Sequence, residues 1–274
     1  MFWLIDGILQ LQPAMFTHKF IDAVIAPNLA HQPVVIQAII SFGITIFKIN
    51  MPVENFLFAF IQILIGFLLL LPVSIKIQKA ALWVSIFWSL VIWVLGEGLG
   101  GLLTGSASFY TGAPGAVLLY LIIATFLLFP KKFSLTYLPK ALGLLCIFGG
   151  ILNAFPMFWT KEMQSMPYQM SQADGNRFIA FPSNVLSHIV LSPIVSNGAA
   201  VVVLLILGSL LFFKPSRRIG YIMFVFLFFV WWISQDFGGI FTFPNGTATD
   251  PNTAPLFMLF LLPLFFTTKK LPVS

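Results

Sequence analysis

Two stretches of the 274-residue chain gather carboxylates, glycine pairs and hydroxyls. Residues 93–114 hold Glu97, Gly100, Gly101 and Thr104; residues 231–255 hold Gln235, Asp236, Gly238, Gly239, Thr242 and Asp250. Laid side by side, Trp93 pairs with Trp231, Glu97 with Gln235, one glycine pair with the other, and Thr104 with Thr242. Three extra residues, 243–245, then bring Gly105 to Gly246 and Ala113-Pro114 to Ala254-Pro255. Carboxylates beside permissive glycine backbone and hydroxyls suit a pocket for a small ligand or for a partner's head group, and an ionisable residue in a membrane bundle is by default a candidate site. The competing reading is packing: glycine admits close backbone approach, while the carboxyls pair with indole N–H groups and backbone amides. Each copy keeps one acid, shifted by one residue from Glu97 to Asp236, and a packing motif has little reason to keep one.

Other residues with chemical potential are dispersed. His18, His31 and His188 share no metal-ligand spacing, and none falls in an expected span, which disfavours a shared metal or a bis-histidine haem in the bilayer. The single cysteine, Cys146, sits in an apolar run and has no second cysteine for a disulfide or a metal pair. No nucleophile motif, phosphate loop or dinucleotide fingerprint occurs. The 32 phenylalanines and 7 tryptophans fit lipid-facing and interfacial positions, a background from which a quinone pocket does not stand out. The residues indicate no particular cofactor.

The elements that must position these residues are membrane helices. Apolar residues make up 59% of the chain and charged ones 8%, against about a quarter in a soluble domain. The expected fold is an all-α polytopic bundle of about eight transmembrane helices: residues 1 to about 16, 55–71, 80–96 and 114–129, then 141–155, 198–213, 220–234 and 255–266. Residues 33–47 read as an interfacial helix, and 156–193 as a long connection. A second echo, Gly7-Ile-Leu-Gln against Gly150-Ile-Leu-Asn, extends the repeat to whole halves, 1–135 and 136–274. An even number of spans per half makes the two repeats parallel, related by an axis along the membrane normal. Thr111 and Asn252-Thr253 are positioned to cap the helices that follow, with Pro114 and Pro255 in their first turns. No secretory leader is visible, so the first span, which starts abruptly, stays in the mature protein.

Charge sets the orientation. The loops around 72–80, 130–140 and 214–218 and the C-terminal tail hold ten of the 14 Lys and Arg and no acid, which makes that side, with both termini, cytoplasmic. The other side collects four bases and all eight acids, including Asp6. The basic residues are topological, and no basic face for nucleic acid exists.

The four-span unit with polar outer helix ends resembles the DoxX/DoxD-type fold of small bacterial membrane proteins, here duplicated in tandem. Residues Asp6 to Phe16 (DGILQLQPAMF), Gly96 to Gly105 (GEGLGGLLTG) and Thr249 to Thr253 (TDPNT) further resemble a set of bacterial multi-pass proteins. The resemblance implies a cell-membrane protein acting as a membrane subunit or accessory factor of an extracytoplasmic, quinone-linked redox process, with a membrane or extracytoplasmic protein partner besides the lipid bilayer. The alternatives are a small-solute transporter or exporter, for which the cytoplasmic halves of the spans offer no polar route, and a lipid-interacting scaffold without chemistry.

Overall fold

The computed structural model describes residues 1–161, 177–189 and 192–266, and among these every regular element is helical. Helix α1 (Phe2–Leu9) leads through tight turns over residues 13–29 to α2 (Val34–Ile49), α3 (Met51–Leu70) and α4 (Ile75–Leu95). A passage of turns over residues 96–115 precedes α5 (Ala116–Leu128). Then come α6 (Leu138–Asn153), α7 (Arg177–Ile189), α8 (Pro193–Phe213) and α9 (Arg217–Phe229), which continues through a π turn (Val230–Ser234). A second passage of turns ends at α10 (Thr253–Leu259) and α11 (Leu262–Phe266).

Among the described residues five helices are long and apolar enough to cross a bilayer: α3, α4, α8, α6 with the turn before it, and α9 with its π turn. Their outward faces carry Phe56, Phe60, Trp83, Phe87, Ile206 and Tyr221, all exposed. Water does not tolerate an apolar surface of that extent, and lipid does. The chain is an integral membrane protein.

The other three expected spans are short. Helix α1 has 8 residues, because its ladder gives way to three-residue turns at Leu11 and Gln12, ahead of Pro13. Helix α5 has 13 residues, about 20 Å, against a hydrocarbon thickness of about 30 Å. The last segment divides into α10 and α11, since Pro263 lacks the N–H that would reach back to Leu259. Residues 34–49 do form a helix, packed on the bundle through Gly43 against Leu95. The connection after residue 156 contains α7; Glu162, Asp174, Lys269 and Lys270 lie outside the described residues.

The helices pair through stripes of small and polar residues. On α3, Asn55, Ala59, Gln62 and Gly66 are buried at three- and four-residue spacing, one helix face. Helix α1 lies along it, with Leu4 against Gly66 and Gly7 against Ile63. The Asn55 amide donates to the Gln10 carbonyl at 2.9 Å. Helices α6 and α8 meet in the same way, with Asn197 donating to the Asn153 carbonyl at 2.8 Å. Cys146 is buried in that seam beside Gly208. Hydrogen bonds of this kind between membrane helices contribute roughly 0.5–2 kcal/mol each. At the opposite end of α4 from Glu97, Lys79, Lys131 and Lys132 line one hollow of about 830 Å³ together with Met1 and Trp3.

A Cβ on Gly143 would lie 2.6 Å from the Phe212 nitrogen and 2.7 Å from the Gly208 carbonyl oxygen. Gly143→Leu is expected to force α6 from α8 and to destabilise by about 1–3 kcal/mol or more. Gly198→Ala, whose Cβ would meet only the Trp159 ring edge at 3.8 Å, serves as the control. Equal melting temperatures of the two variants in detergent would refute this account of the seam.

Candidate functional site

The two glycine-rich stretches build the same backbone device. After α4, Gly98, Leu99, Gly100 and Gly101 take φ of 53°, 60°, 62° and 69°; after α9, Asp236, Phe237, Gly238 and Gly239 take 48°, 53°, 69° and 67°. Each run is a left-handed turn, which costs an L-residue about 1–2 kcal/mol per position. The third position has a further requirement. A Cβ on Gly100 would collide with the Pro114 carbonyl oxygen, and one on Gly238 would sit 2.5 Å from the Pro251 carbonyl carbon. Each turn therefore folds the chain back onto the residues just before α5 or α10.

Three side chains then hold each turn. Trp93 Nε1 donates to the Pro114 carbonyl at 2.8 Å, and Trp231 Nε1 to that of Pro251 at 2.7 Å. Thr104 and Thr242 hydroxyls donate to the Gly101 and Gly239 carbonyls, both at 2.7 Å. Glu97 Oε1 accepts from the Val117 amide at 3.2 Å, and Gln235 Oε1 from the Ala254 amide at 3.0 Å. These bonds correct the register read from sequence: Pro114 corresponds to Pro251, not to Pro255, because a shorter passage before Pro251 absorbs the three extra residues. Thr111 does not cap α5; its hydroxyl donates to the Ser108 carbonyl. Glu97 caps α5 from a distance, while Asn252 Oδ1 caps α10 by accepting from the Thr253 amide at 2.7 Å.

Each passage is also pinned to the other half of the chain. Asn153 Oδ1, at the end of α6, accepts from Ser108 Oγ at 3.1 Å and from the Phe109 amide at 3.2 Å. Gln12, just past α1, donates to the Ala248 carbonyl at 2.8 Å. That second anchor brings Asp250 towards α1, and a cavity of about 90 Å³ opens where Asp250, Glu97 and Asp6 converge. Gln10, Gln62 and Thr249 complete its polar lining, and Trp3, Phe20, Phe47 and Phe58 give it aromatic walls. Among the described residues no lysine, arginine or histidine lines it. Asp6 is 2% exposed. Asp6 Oδ1, Gln62 Oε1 and Glu97 Oε2 are buried without a hydrogen-bond partner.

Of the ten residues expected at a polar vestibule, Glu97 and Asp250 line the cavity. Gly100, Gly101, Gly238 and Gly239 form the turns, Thr104 and Thr242 close them, and Gln235 satisfies the start of α10. Asp236 is buried within the second turn, off the cavity. Sequence reasoning placed Asp6 among the outer acids without making it a site residue, and it passed over Gln62. Their signal was present: an acid and an amide, each isolated in an apolar run. A scan against protein-family models, a search of curated proteins and a search of solved structures each find no match to this chain.

Burial raises the carboxyl of Asp250 above the ordinary range, against the hydrogen bonds from Thr249 and Asn252 that pull it down. Burial raises Glu97 well above its ordinary value, and the charge of Asp250 adds to the rise. The folded protein thus keeps protons that the unfolded chain releases once pH passes the ordinary carboxylate range. Their contribution is greatest below that range, falls as pH climbs towards the folded values, and is lost above them. The melting temperature in detergent is expected to drop from about pH 5 to about pH 8. Glu97→Gln, which keeps the acceptor for α5, should flatten the drop; a steeper drop in that variant would contradict the assignment.

Proposed function

We propose that this integral membrane protein handles a small solute, binding it in the cavity between Asp6, Glu97 and Asp250, and that it is of the transporter type. The observation that carries the reading is the convergence of three carboxyls, from residues 6, 97 and 250, on one buried space that, among the described residues, no lysine, arginine or histidine side chain lines. Ionisable groups inside a membrane bundle mark solute and ion pathways. Short helices that begin inside a bundle, as α5 does, also belong to transporter architecture. The chain is read as two parallel four-helix units in a cell membrane, with both termini cytoplasmic. The shared turn geometry and the gathering of Lys79, Lys131 and Lys132 at one end support that arrangement.

A route across the bundle, which the sequence did not suggest, is supported by the two hollows meeting at one residue. Trp3 lines both the acid cavity and the hollow at the basic end, and its ring packs on Tyr120 with centroids 4.5 Å apart. The redox reading implied by the DoxX-like resemblance rests on that resemblance, and the cavity's free acceptors favour a solute that donates hydrogen bonds over a quinone.

Val91 lines the cavity and tolerates a thiol of similar size. In a Cys146→Ala background, Val91→Cys is expected to react with small membrane-impermeant thiol reagents from both faces of oriented vesicles. Modification from one face alone would end the transport reading and leave a one-sided binding protein.

A further inference from the structure

The cavity's free atoms say what kind of solute fits. Asp6 Oδ1, Gln62 Oε1 and Glu97 Oε2 are all free oxygens of lining residues, the amide oxygen an acceptor and the two carboxyl oxygens acceptors once a guest displaces their protons. Gln62 is only 6% exposed, and its oxygen has no protein donor. A buried polar atom without a partner is costly, so the complementary guest is a donor, and three carboxyls make a positive donor the best match. The walls narrow the choice. Trp3, Phe20, Phe47 and Phe58 present aromatic surface, which attracts cations through the ring quadrupole and suits a weakly hydrated one. Hard metal ions instead need a shell of 6–8 oxygens at short range. Among the described residues no three His, Cys, Asp or Glu side chains are grouped to hold a metal. A volume of about 90 Å³ is room for about three waters, or for an ammonium group with a few carbons.

We propose that the cavity is a site for a small organic ammonium ion, a protonated or methylated amine, held by Asp6, Glu97 and Asp250 against the aromatic walls.

Glu97 is the residue that separates this role from a structural one. Its Oε1 satisfies the start of α5, a task that neutral Gln235 performs for α10. A glutamine would serve the helix equally, so the charge answers to the cavity. The titratable groups around the guest are Asp6 on α1, with the Met1 amine beyond it, Glu97 after α4, Tyr120 on α5 and Asp250 before α10. Helices α2 and α3 and residues 13–29 contribute no titratable group to the lining.

The inference rests on the reading of the cavity as a ligand site, and the test keeps the two apart. Full-length protein in detergent is titrated with methylammonium and tetramethylammonium chloride. Sodium chloride at equal ionic strength and the neutral tert-butanol are the controls, and thermal stability and tryptophan fluorescence the readouts. The expected result is saturable stabilisation by at least one ammonium probe, weakening as pH falls and absent with both controls. Glu97→Gln and Asp6→Asn should each weaken apparent affinity at least tenfold while remaining folded and monodisperse. Stabilisation by tert-butanol that both variants abolish would overturn the ammonium assignment and leave a ligand site. No response to any probe beyond that to sodium chloride, with wild-type and variants alike, would overturn both.

Discussion

Where a helix begins inside a membrane bundle, its first N–H groups have no water to turn to and must find acceptors in the protein. That requirement organises much of this structure. Helices α5 and α10 both begin this way, and each takes its acceptor from a residue just past the end of the preceding long helix, Glu97 or Gln235. For that side chain to reach, the chain must leave the long helix, reverse and return within a few residues. The left-handed turns make the reversal, the collisions that a Cβ would cause at Gly100 and Gly238 keep them tight, and the two indoles lock the returning carbonyls. The strain of Leu99 and Phe237 at positive φ follows from the same demand. Around Phe237 it is offset by ring packing, with Trp231 at 4.9 Å and Phe241 at 5.3 Å.

The same device explains why a carboxylate can be tolerated at Glu97. One oxygen is held at the positive end of α5, where a helix dipole stabilises negative charge. The other is released from structural duty and left unpaired. Asp250 is divided differently: both its oxygens accept within its own turn, from the Asn252 amide at 2.7 Å and the Thr249 hydroxyl at 2.9 Å. Its position is therefore fixed by local backbone, and its charge contributes to the cavity without direct hydrogen bonds to the other acids. Asp6 completes the set from a regular helix, held in place by the packing of α1 on α3.

Much of the fold was legible in the sequence, because hydropathy and glycine patterns act locally. The long helices, a helix over residues 34–49, the glycine turns and the pairing of Trp93 with Trp231 and Glu97 with Gln235 were all readable there. The short helices were harder. An apolar run such as 255–266 reads as one helix, yet one ring nitrogen at Pro263 divides it. The site was half legible. Glu97 and Asp250 stood in conspicuous stretches, whereas Asp6 and Gln62 join them only through contacts across most of the chain's length. The register after Thr242 was misread because Ala-Pro repeats near both helix starts, and the hydrogen bonds, not the residue names, decide which proline corresponds.

The comparison between halves also explains why the place beside Gly149, which corresponds to the position of Asp6, is filled. The bond from Asn55 to the Gln10 carbonyl corresponds to that from Asn197 to the Asn153 carbonyl. In that register Asp6 matches Gly149, Gln62 matches Leu204 and Glu97 matches Gln235. Every polar group facing the cavity from the first half thus meets a neutral or apolar counterpart. The space beside Gly149 is filled: its Cβ would fall 2.7 Å from that of Phe109, whose ring stacks on Phe257 at 4.9 Å. Gly149 is small because an aromatic side chain occupies the place that Asp6 leaves open. The glycine turns are common to both halves, and so belong to the helix starts. The acids and the open space belong to one half alone, with Asp250 added from the other, and it is this departure from likeness that marks the site.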